Sequence, residues 1–478
     1  MKKENIVSIQ KSKNKSYPLV PFNPPKIFLE FQDFNLYKIK TNKQNDIYSS
    51  VRKLLIDLEL DKKNIGTKKW NPFKDLIKAG QNVVIKPNLV YHTHPLGKQG
   101  IDAMITNASI IRPIIDYILL AVGKVCEITI CDVPLQSTVW GEVIKNNGLK
   151  ELILFYKNKN INIQLLDLRY EIAIKNKEGI CRKRLRKVRD PQGYVKVNLG
   201  NKSYIQDIIK DYKKLEITDY GLGAVSKHHN PQKNEYLIPQ TILDADVFIN
   251  VPKMKTHRKA GVTLSMKNII GINADKSWIA HHRRGIDEYP RFNLKDYLKW
   301  RLAYYLKVFA PKWFITLFYR TYRAVCLKGE SIKKHDMIHG GTTMEGNWHG
   351  NDTIWRTILD MNNILFFVDK KGKMQKEQQR KYITIIDGII GMEKEGPMDG
   401  YPKKCGILIG GTHPIAVDYI TAKIMGFNHQ KIPKIREGFK EKYWGLVNFI
   451  PEEIKTNLDK LPNFKFIPSK GWKGYVEE

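Results

Sequence analysis

Apolar and polar residues alternate along this chain with two different periods, and the switches between them mark out the elements. Residues 46–60, DIYSSVRKLLIDLEL, space their apolar side chains three and four apart and predict a helix. Residues 81–90, QNVVIKPNLV, form a short β-branched run that stops at Pro87 and Asn88, which reads as a buried strand opening into a loop. A helical stretch follows over 106–123, TNASIIRPIIDYILLAVG, with Asn107 or Ser109 as its cap. CEITICDVP (126–134) is a second strand, breaking at Asp132 and Pro134. INIQLLDLRYE (161–171) and ILDADVFINVP (242–252) read as further strands. In the last third, 354–369 is helical, 381–397 (KYITIIDGIIGMEKEGP) is a strand emptying into a glycine- and acid-rich loop, and 403–427 is a strand, a Gly-Gly turn and a helix.

Strand, helix, strand predicts an α/β fold: two lobes with mainly parallel sheets flanked by helices, plus an aromatic and basic helical insertion. The expected divisions are a loosely packed lead-in and helix over 1–75, a first α/β lobe over 76–290, the insertion over 291–330, and a second α/β lobe with a C-terminal tail over 331–478. A very basic hairpin or flap, broken by Pro191 and Gly193, is expected within the first lobe over 175–200. The stretch 294–329 is aromatic, basic and helical in period apart from Pro311, so it fits either a membrane surface or a helical hairpin snorkelling its cations.

Composition changes this picture little. The 478 residues are 42% hydrophobic and 10% aromatic, as in a globular protein. Lys and Arg number 81 against 48 Asp and Glu, for a net charge of +33. The excess is mostly Lys in a chain rich in Lys, Ile and Asn, so a general compositional bias explains it as well as a polyanionic partner does, and no specific nucleic acid is predicted. Cys126, Cys131, Cys181, Cys326 and Cys405 are scattered without a Cys-x-x-Cys, which speaks against an iron–sulfur cluster held by this chain. Reduced cysteines, no secretory signal and no long apolar run lead to the expectation of a cytoplasmic protein, free or peripheral to the membrane.

Candidate chemistry sits where strands stop. In parallel sheets ligands bind beyond the carboxyl ends of the strands, which singles out Lys86, Asn88, Asp132 and Gln136. KMKTHRKAGVTLSMKN (253–268) follows a buried strand and supplies Lys253, Lys255, Thr256, Gly261, Thr263, Ser265 and Asn268 as an anion cradle, with His257 and Lys267 as candidate catalytic groups. His281 and His282 are candidate metal ligands, joined by Asp387, Glu393 and Asp418 on the later strand ends. The segments 335–352 and 411–418 add His335, Asp336, His339, Glu345, His349, Asp352 and His413.

DADVFINVPKMKTHRKAGVTLSMKNIIGI, GNWHGNDTIWRTILDMN, IDGIIGMEKEGP and GGTHPIAVDYITAKIMG together resemble domain-of-unknown-function family 362, over about residues 82–427. The resemblance implies an α/β protein and supplies no reaction. Many members carry a cysteine-rich, ferredoxin-like segment that this chain lacks. A second similarity, to lactate racemase, rests on His257 and Lys267 ten positions apart with Ala260-Gly261 between them. It implies a metal-nucleotide cofactor bonded to Lys267, proton transfer by His257, and a metal ligated by His281 or His282, although Thr263, Leu264 and Ser265 replace the racemase's tandem glycines. The expected function is therefore an enzyme binding an anionic substrate or cofactor in an inter-lobe cleft, with racemase-like proton transfer and a divalent metal as options. The alternatives are a non-catalytic binder of anionic polymer or membrane through 294–329, and a redox partner of an iron–sulfur protein.

Overall fold

The structure, a computed structural model, describes residues 5–176, 181–218, 220–288 and 344–478, with Pro311, Trp313, Phe314 and Leu317. The expected insertion and its membrane contact over 294–329, together with His335, Asp336 and His339, lie outside the described residues apart from those four positions.

One ten-stranded, mainly parallel sheet organises the chain. Its strands are β1 (Ile6–Lys11), β2 (Asn82–Pro87), β3 (Glu127–Asp132), β4 (Gln164–Asp167), β5 (Val247–Val251), β6 (Lys253–His257), β7 (Gly261–Val262), β8 (Lys381–Glu393), β9 (Tyr401–Gly411) and β10 (Lys455–Thr456). The order is β10-β1-β9-β8-β5-β2-β3-β4, with β6 paired to β8 and to β7. β2, β3, β4, β5 and β8 run parallel, and β9 is antiparallel to β8 and β1. The two segments expected as lobes thus contribute adjacent strands to a single sheet.

Helices cover both faces, as parallel strands buried on two sides require. α1 (Asp46–Asp57) and α3 (Ala108–Val122) pack with Val83, Ile85 and Ile249, whereas Val84, Phe248 and Tyr382 face the core built on α5 (Ile354–Phe367). The remaining helices that matter here are α2 (Gly97–Met104), α4 (Leu264–Asn268), α6 (Pro414–Met425) and α7 (Pro433–Phe439). Asn107 caps α3 by accepting the Ser109 N–H, one of the two caps expected. Among the described residues no single helix is long and apolar enough to cross a membrane.

Three stretches differ from expectation. The first 45 residues are built into the fold: β1 pairs with β9, and Phe22, Phe28, Phe31, Tyr37 and Ile39 are buried in the core around α1 and α3. The glycine- and acid-rich stretch after Ile386 is mostly strand, because β6 on one side and β9 on the other keep it paired as far as Glu393. A side chain at Gly388 would come within 2.9 Å of the Ile407 carbonyl, so this glycine serves close strand packing, not a turn. Residues 253–257, expected as an anion-holding loop, form β6. The basic flap resolves into an antiparallel hairpin, Glu171–Lys175 with Cys181–Arg186, and a strand Tyr194–Asn198 paired to Lys233–Pro239.

Candidate active site

β2 and β3 end side by side, and a cavity of about 210 Å³ opens beyond them. Lys86, Asn88, Asp132 and Gln136 from these strand ends line it, and so do Lys255, His257, Arg258, Lys259, Thr263, Lys267, Asn268, Lys276, His281 and Glu345. Val133, Leu135, Ile217, Ile270 and Met398 supply apolar wall. Strand periodicity explains the contribution of β6. Successive side chains point to opposite faces, so Lys253, Lys255 and His257 share one face while Met254 enters the core on the other.

A fixed polar lattice forms the floor. Lys86 pairs with Asp132 at 2.7 Å, and Asp132 also accepts the Leu89 N–H at 2.8 Å. Lys255 donates to Asn88 Oδ1 (2.9 Å), the Met104 carbonyl (2.8 Å) and the Pro397 carbonyl (3.2 Å), which occupies all three of its N–H groups. Asn88 donates in turn to Asn268 Oδ1 at 2.8 Å, and Asn268 donates to Asn250 Oδ1 at 2.7 Å. Gly271 closes this floor: a Cβ there would lie 2.6 Å from both Asp132 Oδ1 and Lys86 Nζ.

Lys267 is presented by α4, a single turn whose first residue, Leu264, is a non-glycine in the left-handed region at φ 53°. Asp418 on α6 holds that start by accepting the N–H groups of Ser265 (2.6 Å) and Met266 (3.2 Å). Lys434 on α7 neutralises Asp418 at 2.7 Å and donates to the Thr263 carbonyl at 2.7 Å.

Above the floor the cations outnumber their partners. Lys259 donates to the Glu345 backbone carbonyl and faces its carboxylate at 3.9 Å. The Lys267 and Lys276 ammonium groups make no hydrogen bond or ion pair among the described residues. Burial, then the Lys434, Lys276 and Lys259 charges, push Lys267 down to about 7. Lys276 is likewise pushed down to about 7 by burial, against which Asp132 pulls in the opposite direction. His257 accepts the Lys259 N–H on Nδ1 at 3.1 Å, and His281 Nδ1 is buried without a partner among the described residues. Both imidazoles are held well below their ordinary range, by burial first and by neighbouring lysines after it. They are neutral at pH 7, and since His257 Nδ1 accepts a hydrogen bond its Nε2 carries the ring proton.

The remaining candidates lie elsewhere. Asp387, expected as a metal ligand, is buried against Lys253 at 2.9 Å and accepts from the Tyr17 hydroxyl and the Asn107 N–H. Glu393 pairs with Lys403 at 2.7 Å and accepts the Ile467 N–H. Asp418 caps α4. His282 lies 3.5 Å from Glu288 and 3.8 Å from Glu216, off the cavity wall. These carboxylates balance internal charges, and among the described residues no three His, Cys, Asp or Glu side chains converge as a metal-ligand set. Thr256 donates to the Lys394 carbonyl, Ser265 shares a hydrogen bond with Thr384, and Gly261 (φ 72°) turns the chain from β6 to β7 under Trp472. His349 stacks on Tyr475, His413 Nε2 bonds the Leu446 carbonyl, and Asp352 pairs with Arg283 and Arg356. Lys276 lines the cavity but was not singled out from the sequence, and Arg258 and Lys259 counted only among the cations of the 253–268 stretch. Lys276 had a visible signal, a lone cation between the apolar stretches IIGINA and WIA.

Residues 200–423 match the family model described as Domain of unknown function (DUF362). The chain carries a DUF362 domain. The match takes in Lys255, His257, Lys267, Lys276, His281 and Glu345, so most of the cavity's cationic wall belongs to the DUF362 region, while Lys86, Asn88 and Asp132 precede it. The family description names no activity. A search of curated proteins finds no match to the chain, so the likeness to lactate racemase is not shown.

Proposed function

We propose that this DUF362 protein is an enzyme that binds a small anion in the cavity beyond β2 and β3 and moves a proton on it. Lys276 and Lys259 face the anion's charge, Lys267 and His257 exchange the proton, and the Lys86–Asp132 and Lys255–Asn88–Asn268 lattice keeps the floor rigid. One observation carries this: Lys267 and Lys276, two largely enclosed ammonium groups, share the cavity without a hydrogen-bond acceptor among the described residues. Enclosed charge without a partner is costly, and an anionic ligand supplies the missing acceptors. With its amine near neutrality, Lys267 suits general acid–base work at cellular pH. Proton transfer at a carbon made acidic by a neighbouring group is the chemistry of racemases and isomerases, and this arrangement fits that class.

Calorimetric titration of the natively purified protein with lactate and with inorganic phosphate tests the proposal. Saturable one-to-one binding by at least one of them is expected, weakened tenfold or more by Lys276→Met. No saturable binding, or binding indifferent to Lys276→Met and Lys267→Met, contradicts it.

A further inference from the structure

Five lysines face the cavity, and their hydrogen bonds sort them. Lys86 is tied to Asp132, Lys255 has every N–H occupied, and Lys259 is held by Glu345. Lys276 has Asp132 as its largest opposing influence, so it keeps some support for its charge. Lys267 is surrounded by Lys434, Lys276 and Lys259, with no carboxylate among its significant neighbours in the described residues. It is partly accessible, and the accessible side is the cavity. A lysine amine that is desolvated beside other cations is a nucleophile toward carbonyl carbon.

We propose that Lys267 forms a Schiff base with a small 2-oxo acid, a use that rests on the anion-binding reading above. A 2-oxo acid carries its carboxylate on the carbon next to its carbonyl. The charge then meets Lys276 while the carbonyl carbon meets Lys267, and the short carbon tail lies against Ile217, Ile270 and Val133. The Lys267 nitrogen lone pair adds to the carbonyl carbon, and the proton leaving nitrogen ends on the carbonyl oxygen, giving a carbinolamine. That hydroxyl departs as water with one further proton, delivered by the Lys276 ammonium, and leaves a protonated imine whose nitrogen keeps its remaining hydrogen. No oxidant or reductant is consumed.

The test incubates the whole, natively purified protein with pyruvate and borohydride, followed by intact mass and peptide mapping, alongside calorimetric titration with lactate, which offers the same carboxylate without the carbonyl. The expected result is one reduced pyruvate per chain, mapped to Lys267, suppressed by excess lactate and lost in Lys267→Arg. The mapping and the lactate protection are read in the unmutated protein, so they stand even where the variant folds poorly. Lactate binding with no adduct, or adducts spread over surface lysines as in Lys267→Arg, overturns the Schiff base and leaves the anion site standing. No adduct, with no binding of either lactate or inorganic phosphate, overturns both.

Discussion

Lys267 carries the proposed chemistry at the scale of the residue, and its protonation has a sign that can be checked. A lysine of about 10.4 in the unfolded chain that falls to about 7 in the folded one binds fewer protons when folded over that interval. Unfolding then takes up a proton, so this residue's cost to stability is largest near and below pH 7 and disappears as the pH approaches 10. Lys267→Met is expected to raise the unfolding free energy at pH 7 and to leave it nearly unchanged at pH 10, as denaturant titrations at the two pH values would show. Gly271 gives a second residue-scale outcome. With 2.6 Å between its missing Cβ and the Lys86–Asp132 pair, Gly271→Ala is expected to cost about 1–3 kcal/mol of stability and to weaken lactate binding.

α4 is the element on which the site depends, and five residues are too few to hold a helix by propensity. Asp418 and Lys434 hold it from outside, both fully buried. Asp418→Ala removes the acceptor for two N–H groups and leaves Lys434 unpaired, so a loss of about 3–5 kcal/mol is expected, most of it recovered in Asp418→Asn/Lys434→Met. Chemical denaturation of the two variants separates these outcomes. The same pair shows what the sequence made legible. α1, α3, α5 and α6 follow from periodicity, and strand ends marked by Pro87 and Asp132 pointed to Lys86, Asn88, Asp132 and Gln136, all of which line the cavity. His257 and Lys267 were found in a cation-crowded stretch after a buried strand. Asp418 was legible as a polar residue on α6 but not as the cap of a helix 150 residues earlier, because an ion pair between distant elements leaves no local pattern. Asp387 failed as a metal candidate for the same reason: its partners, Lys253 and Tyr17, come from two other strands and loops. β1 was hidden because Ser8 and Gln10, buried beside Asp57, interrupt what would otherwise read as an apolar run.

For the whole molecule, the net charge of +33 and the cavity make separable contributions. Exposed lysines attract any polyanion, and that attraction is screened over ~8 Å at physiological ionic strength. Charges enclosed around the cavity are screened far less. Lactate binding is therefore expected to survive added salt that abolishes retention on an anionic resin. A bound ligand is also expected to stabilise the entire fold, since the cavity joins β2, β3 and β6 of one sheet with α4. At a lactate concentration a hundredfold above Kd the gain is about 2.7 kcal/mol, or a rise in Tm of about 3 °C for a chain of this length. Thermal unfolding with and without lactate checks this.

Calorimetric titration with lactate at pH 6.5 and pH 8.5, in two buffers of different ionisation enthalpy, tests most directly whether the cavity is an anion site built on Lys267 and Lys276. Since both amines sit at about 7 without ligand, binding is expected to take up protons and to weaken at the higher pH, and Lys267→Met/Lys276→Met is expected to abolish both effects. An isotherm that keeps its affinity at both pH values, releases no buffer-dependent heat and is unaltered in the double variant would contradict the account.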